Sequence, residues 1–125
     1  MHEQRGHCYR LLDQHQEAIK GYVKVIKLDS SKEWPHHYNG MAYRGLRRYH
    51  GTLQTSETYI ELRRIESANW IGTEQVAYAY TYIGLAYIEF SQYQKAIERF
   101  DKALAINQNY TDANSGKEKA TENLK

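Results

Sequence analysis

Two histidines and a glutamate near the amino terminus come close to a zinc-binding spacing without reaching it. The H-E-x-x-H pattern needs its histidines at i and i+4, on one face of a helix. Here His2 and Glu3 are followed by His7, at i+5, which turns the second histidine away from the first. His36 and His37 are adjacent, so a helix would point them in different directions. We therefore predict no metal and no cofactor.

The remaining candidates for chemistry are a single cysteine and a group of arginines that have glutamates interleaved among them in the sequence. Cys8 is the single cysteine and cannot form an internal disulfide, which favours a reducing compartment, and we predict a cytoplasmic protein. No glycine-rich phosphate loop is present, and no set of serine, histidine and aspartate stands out. We therefore predict that the chain is not an enzyme. Interleaved glutamates favour a solvated face over a basic patch for five arginines: Arg44, Arg47, Arg48, Arg63 and Arg64.

Composition and charge narrow the class of protein further. With 41% hydrophobic and 26% charged residues, the chain is typical of a globular protein. A net charge of +2 gives no reason to expect a nucleic-acid or membrane partner. The most apolar stretch, residues 76–90, is too short to span a bilayer. One proline in 125 residues permits long helices, so we expect an all-α protein.

Glycines reveal an internal repeat. Gly6, Gly40 and Gly84 each open a Gly-x-small-Tyr quartet, and the first two are 34 residues apart. A period near 34 indicates an array of stacked helix pairs. Because a glycine inside a helix costs about 1 kcal/mol relative to alanine, we expect each one to lie at a close contact between helices. The partner helix contributes a small residue twelve positions after each glycine: Ala18, Thr52 and Ala96.

The third copy of this pattern resembles the tetratricopeptide repeat. Ile83-Gly84, Tyr87, Ala96 and Phe100 match the LG-x2-Y…A-x3-F spacing of that family. The first copy is similar, whereas the second keeps its glycine and tyrosine but loses the later alanine and aromatic residue. The resemblance implies a right-handed superhelical array of antiparallel helix pairs, an α-solenoid, with a C-terminal capping helix. It also implies a scaffold for protein–protein interaction.

We expect one domain, residues 1–125, with two helices in every copy. In the first copy they should end near Leu12 and start again near Gln16. Thr52 and Ser56 are poor fillers for a helix interface, and about ten extra residues follow them, so the second repeat should be the least stable. We expect three repeats, at residues of about 1–30, 33–66 and 74–108. The capping helix should cover residues of about 111–124.

A concave groove lined by the first helix of each repeat is a further implication of the resemblance. It should hold a peptide or helix of a partner protein. Side chains spaced three or four residues apart lie on the same face of a helix. Ile88 and Glu3 continue this face at its two ends. Leu85 and Ile88 are equally suited to plain core packing against the capping helix. The predicted groove residues are His7, Arg10, Trp34, His37, Met41, Arg44, Tyr78, Thr81 and Leu85.

Some family members clamp the C-terminal carboxylate of heat-shock chaperones with lysine, asparagine and arginine. A carboxylate needs charge-assisted donors. The matching places here are occupied chiefly by tyrosine and histidine, so we predict no chaperone-tail binding of that kind. The residues concerned are Glu3, His7, Tyr38, Tyr78 and Tyr82.

Three alternatives stay open at this point. The chain could be an RNA-binding helical-repeat module that uses its surface arginines. It could instead be a regulatory segment of a larger enzyme, and the incomplete opening of the first repeat leads us to expect a fragment of a longer protein. A homo-oligomer is also compatible with the sequence.

Overall fold

The computed structural model describes the backbone of residues 2–29, 34–66 and 74–125, and the side chains of these ranges except 2–13, 65 and 66. In the described residues every regular element is a helix, which confirms the all-α repeat fold. The helices are α1 (His2–Leu28), α2 (Trp34–Gly45), α3 (Tyr49–Glu66), α4 (Glu74–Glu89), α5 (Tyr93–Ile106) and α6 (Thr111–Leu124). Each packs on the next in the chain, and α4 also contacts α2 and α6.

The α2/α3 and α4/α5 pairs are joined by turns of the same geometry. Arg47 and Ser91 both have a φ of 58°, in the left-handed region. The next amide in each turn donates to a carbonyl five residues earlier, Arg48 to Tyr43 at 2.9 Å and Gln92 to Tyr87 at 2.8 Å. This is the Schellman arrangement that closes the C-terminus of a helix.

Two of the repeated glycines, Gly40 and Gly84, lie at close contacts between helices, as predicted, and the surroundings of Gly6 lie outside the described residues. A Cβ atom built on Gly84 would lie 2.6 Å from the ring of Phe100, and one on Gly116 of α6 would meet the same ring. Phe100 is fully buried between them. In the second copy, a Cβ on Gly40 would lie 3.1 Å from the Ser56 hydroxyl. Small residues therefore let α5 approach both of its neighbours.

The first copy differs from the prediction. Separate helices ending near Leu12 and starting near Gln16 were expected, but the backbone of α1 is one continuous helix from His2 to Leu28. The four residues at the expected break, 13–16, include neither glycine nor proline, so a helix can run through them without a large penalty.

Helix starts and the capping helix agree with the sequence where they are described. Pro35 lies buried in the first turn of α2, where a missing amide hydrogen costs nothing. The α6 helix buries a stripe of small residues and exposes its charged side chains, as a capping helix does. The sequence also predicts that Ser31 and Thr73 cap the helices that follow them. Both residues, and most of the ten-residue insertion, lie outside the described residues.

Candidate partner-binding groove

A cleft of about 540 Å³ lies between the first helices of the second and third copies. Met41 and Arg44 line it from α2, and Tyr82, Leu85 and Glu89 line it from α4. His15 of α1 and the α2–α3 turn complete its lining. The structure thus brings the predicted groove residues Met41, Arg44 and Leu85 to one surface.

Arg44 links the two walls of the cleft. Its guanidinium carbon lies 5.0 Å from the centroid of the Tyr82 ring, which is a cation–π contact. Tyr82 is buried, and this burial raises the pKa of its hydroxyl, while the charge of Arg44 works in the opposite direction. Among the described residues no carboxylate forms a salt bridge with Arg44, which is exposed. The cation is therefore accessible to a ligand.

An exposed aromatic and apolar face continues from the cleft along α2. Trp34, Tyr38 and Met41 are 44%, 47% and 42% exposed, and their spacing of four and three residues places them on one helical face. The Tyr22 ring of α1 stacks on Tyr38, with centroids 6.0 Å apart, and meets Trp34 edge-on at 6.4 Å. We call Trp34, Tyr38 and Met41 the α2 face.

His37 and Tyr78 are held by neighbours inside the protein. The His37 ring lies 5.0 Å from that of Tyr59 of α3, and its partial burial lowers its pKa. The Tyr78 hydroxyl donates to a carboxylate oxygen of Glu74 at 2.7 Å, and its ring lies 5.2 Å from Tyr110. Both side chains are partly exposed, and neither lines the cleft.

Thr81 corrects the predicted groove. It is fully buried, and its hydroxyl donates to the carbonyl of Ala77 at 2.9 Å, so it offers no surface to a partner. The reason is that α4 packs against α2, α3, α5 and α6, which leaves it little free face. Ile88 is likewise buried in the core. The side chains of the predicted groove residues His7 and Arg10 lie outside the described residues.

Two tyrosines beside the predicted groove residues, Tyr38 and Tyr82, are not among those that helical spacing predicted. Each lies two residues before its repeat glycine, at a place where clamp-forming family members carry a clamp residue. The signal that would have found Tyr38 is the spacing of four residues after Trp34 and three before Met41. Nothing in the sequence indicates that Arg44 would lie over Tyr82.

The arginines do not assemble into one patch. Arg44 and Arg47 line the cleft, whereas Arg64 lies in a separate pocket with Glu57 and Glu61. Glu61 forms a salt bridge with Arg64, and Glu57 forms one with Arg99 at 3.4 Å. The structure therefore adds no support to the RNA-binding alternative.

Two negative findings apply to the part of the chain described here. No three histidine, cysteine, aspartate or glutamate side chains come together in a way that could hold a metal ion. None of the helices combines the length and the apolar character needed to cross a membrane.

The fold is that of a known class of helical-repeat protein. The family model described as tetratricopeptide repeat matches residues 1–32 and 77–110, together just over half of the chain. The chain belongs to the tetratricopeptide repeat family.

One curated relative and two solved structures show how far the likeness extends. The relative is the Hsp70-Hsp90 organising protein of Plasmodium falciparum (isolate 3D7), 26% identical over 117 residues. The match covers 94% of this chain but only 20% of that protein, so the chain spans about a fifth of its relative's length.

Both solved structures are less than 25% identical to this chain in sequence, so their likeness to it supports the fold alone. The first TPR of Spaghetti (RPAP3), bound to the HSP90 peptide SRMEEVD, superposes with a TM-score of 0.75 at 19% identity, covering 97% of this chain and 88% of that one. The crystal structure of MamA protein superposes with a TM-score of 0.73 at 22% identity, covering 88% of this chain and 55% of that one.

Proposed function

We propose that this chain is a non-enzymatic scaffold that binds a segment of a partner protein along the α2 face and the adjoining cleft. The observation that carries the proposal is the exposure of Trp34, Tyr38 and Met41 on one face, beside the accessible cation of Arg44. Tryptophan, tyrosine and arginine are the residues most often found at the energetic centre of protein interfaces. Residues 1–125 would act as one unit of three repeats and a capping helix.

The lining indicates what the partner segment should carry. Aromatic rings and the Met41 thioether suit an apolar anchor, because they bury area without leaving polar groups unpaired. Arg44 and Arg47 suit a carboxylate close to that anchor. A peptide or helix with one large apolar side chain and a nearby acidic residue fits this surface.

The structural neighbour bound to SRMEEVD raises the question of chaperone tails. We keep the prediction that no C-terminal carboxylate clamp forms here, because Tyr38, Tyr78 and Tyr82 occupy the places where the clamp needs amides and cations. SRMEEVD should bind weakly, and amidating its terminus should change its affinity less than about threefold. A loss of tenfold or more on amidation, measured by fluorescence anisotropy, would show that a clamp exists.

Affinity capture with matched variants tests the proposed surface. Trp34→Ala and Arg44→Ala should each lose the captured partner, since truncating such residues costs about 2 kcal/mol or more. Leu124→Ala removes an equally exposed apolar side chain from α6, and Arg64→Ala removes an exposed arginine elsewhere. Both controls should capture the partner normally.

Thermal unfolding of the same four variants separates binding from folding. If Trp34→Ala unfolds at a clearly lower temperature while Arg44→Ala still binds, Trp34 supports the start of α2 and the binding surface lies elsewhere. If the two controls lose the partner as fully as the two α2 variants, the α2 face is not the binding site.

A further inference from the structure

The exposed rings of the α2 face carry hydrogen-bond donors that the protein itself does not use. Trp34 and Tyr38 are 44% and 47% exposed. Within the described part of the chain, neither the indole N–H of Trp34 nor the hydroxyl of Tyr38 is hydrogen-bonded, and the same holds for the hydroxyl of Tyr22 beside them. A partner that covers these rings must supply acceptors, because a donor buried without one weakens binding.

The three rings form a closed platform. Tyr22 and Tyr38 stack with an interplanar angle of 20°, and Trp34 stands at 82° to the first and 63° to the second. The centroids lie 6.0 to 6.4 Å apart, which is contact distance for aromatic pairs, so each ring holds the orientation of the others. No space remains between the rings to enclose a methylated ammonium group, and the nearby Arg44 disfavours a cation. The platform therefore accepts an apolar group that lies on its ring faces.

The backbone conformation of a ligand decides whether it can satisfy the free donors. In a helical segment the interior carbonyls are already bonded to amides of the same helix. In a polyproline II segment every carbonyl is free, because that conformation has no internal hydrogen bonds. Proline also supplies a compact ring that packs on aromatic faces, and its restricted backbone lowers the entropy lost on binding. The donors and the rings together favour an extended, proline-rich ligand over a helical one.

The length of the α2 face matches the repeat of such a segment. Trp34 and Met41 are seven residues apart, which is about 10.5 Å along a helix. Three residues of polyproline II span about 9.3 Å, so prolines at positions i and i+3 can lie on Trp34 and Met41. Arg44 follows Met41 by three residues, or about 4.5 Å, and has no carboxylate partner among the described residues. An acidic residue one or two positions beyond the second proline would reach its guanidinium.

We propose that the segment bound by the α2 face is a Pro-x-x-Pro stretch in the polyproline II conformation, with an acidic residue one or two positions beyond the proline nearest Arg44. Its carbonyls accept hydrogen bonds from the Trp34 indole and the Tyr38 hydroxyl, and its carboxylate pairs with Arg44. This proposal rests on the proposed function for the location of the site, and it adds the conformation and composition of the bound segment.

Fluorescence anisotropy with labelled, C-terminally amidated peptides tests the ligand side on the whole chain. One peptide carries Pro-Ala-Ala-Pro-Ala-Glu, and a second carries Glu-Ala-Pro-Ala-Ala-Pro, since a polyproline II segment can lie in either direction along α2. The tighter of the two is the probe. Replacing both of its prolines by alanine should weaken binding about tenfold or more. Replacing its glutamate by glutamine should weaken binding about tenfold, because a charge-assisted hydrogen bond is lost.

Variants that keep a ring and remove its donor test the protein side. Trp34→Phe and Tyr38→Phe should each weaken the probe about two- to tenfold, which is the contribution of one hydrogen bond. Tyr93→Phe makes the same change on α5 and should leave the affinity unchanged. In the nuclear magnetic resonance spectrum, the Trp34 indole proton should move downfield when the probe binds.

Three results would each overturn the proposal. The first is that neither proline peptide binds measurably, and the second is that Trp34→Phe and Tyr38→Phe both bind the probe as tightly as the parent chain. The third is that an amidated, helix-forming peptide with one leucine and one glutamate four residues apart binds more tightly than the probe. In each case, loss of the captured partner in Trp34→Ala and Arg44→Ala would still support the proposed function, because capture does not depend on the conformation of the bound segment.

Discussion

Arg44 of α2 lies over the ring of Tyr82 of α4, with 5.0 Å between the guanidinium carbon and the ring centroid. This contact joins the first helices of two successive copies across the cleft. It leaves the cation accessible, because a ring face satisfies only one side of a guanidinium. The same contact therefore connects the packing of the array to its proposed binding surface.

Replacing Arg44 should change the titration of Tyr82. Burial raises the pKa of the Tyr82 hydroxyl, and the positive charge of Arg44 opposes that rise by stabilising the phenolate. Arg44→Ala should therefore raise the pKa of Tyr82 further, whereas Arg44→Lys should preserve most of the effect. Ultraviolet titration of tyrosinate, with Tyr82→Phe to identify the signal, measures the shift. An unchanged or lower pKa in Arg44→Ala would contradict the contact.

Tyr110 makes stability depend on pH in the alkaline range. Burial, followed by the nearby Tyr82 and Asp112, raises the pKa of Tyr110 to about 12. In the unfolded chain the pKa is about 10, so the unfolded state loses its proton first as the pH rises. The stabilisation is thus fully present below pH 10 and is lost between about pH 10 and 12. Urea unfolding across this window should show a smaller decline for Tyr110→Phe than for the parent chain.

Two glycines of similar helical setting should respond oppositely to alanine. A Cβ on Gly84 would lie 2.6 Å from the Phe100 ring, so Gly84→Ala should overpack the core and cost about 1–3 kcal/mol of unfolding free energy. Nothing lies within 4 Å of a Cβ on Gly21, so Gly21→Ala should stabilise α1 by up to about 1 kcal/mol. Chemical denaturation measures both. Equal effects would mean that Gly84 is not at a close contact.

The second repeat should open more readily than the third. Thr52 and Ser56 occupy buried positions on α3 where α5 has Ala96 and Phe100. The Thr52 hydroxyl donates to the carbonyl of Arg48, so this side chain adds little apolar packing. Because the stability of a repeat depends on its own contacts and those of its neighbours, amide hydrogen exchange should be faster in α3 than in α5. Slower exchange in α3 would show that the substitutions are compensated.

The sequence by itself determined the repeat fold and the places where helices meet closely. The repeated glycines predict helix crossings that leave no room for a side chain. Gly84 confirms this, because a Cβ atom there would lie 2.6 Å from the Phe100 ring. Small residues at helix crossings recur at a fixed spacing along the chain, and a single sequence is enough to show that spacing. The apolar spacing of the third copy also predicts a helix from about Tyr93 to Ile106, and α5 has these bounds.

Only the tertiary structure decided which residues face the cleft. Helical spacing placed Thr81 on the same face as Leu85, but α4 is surrounded by four other helices, so Thr81 is buried and Leu85 still lines the cleft. The contact between Arg44 and Tyr82 joins residues 38 positions apart, and no periodicity within one helix could predict it. Exposure depends on how many neighbours a helix has, and that number is set by the assembled array.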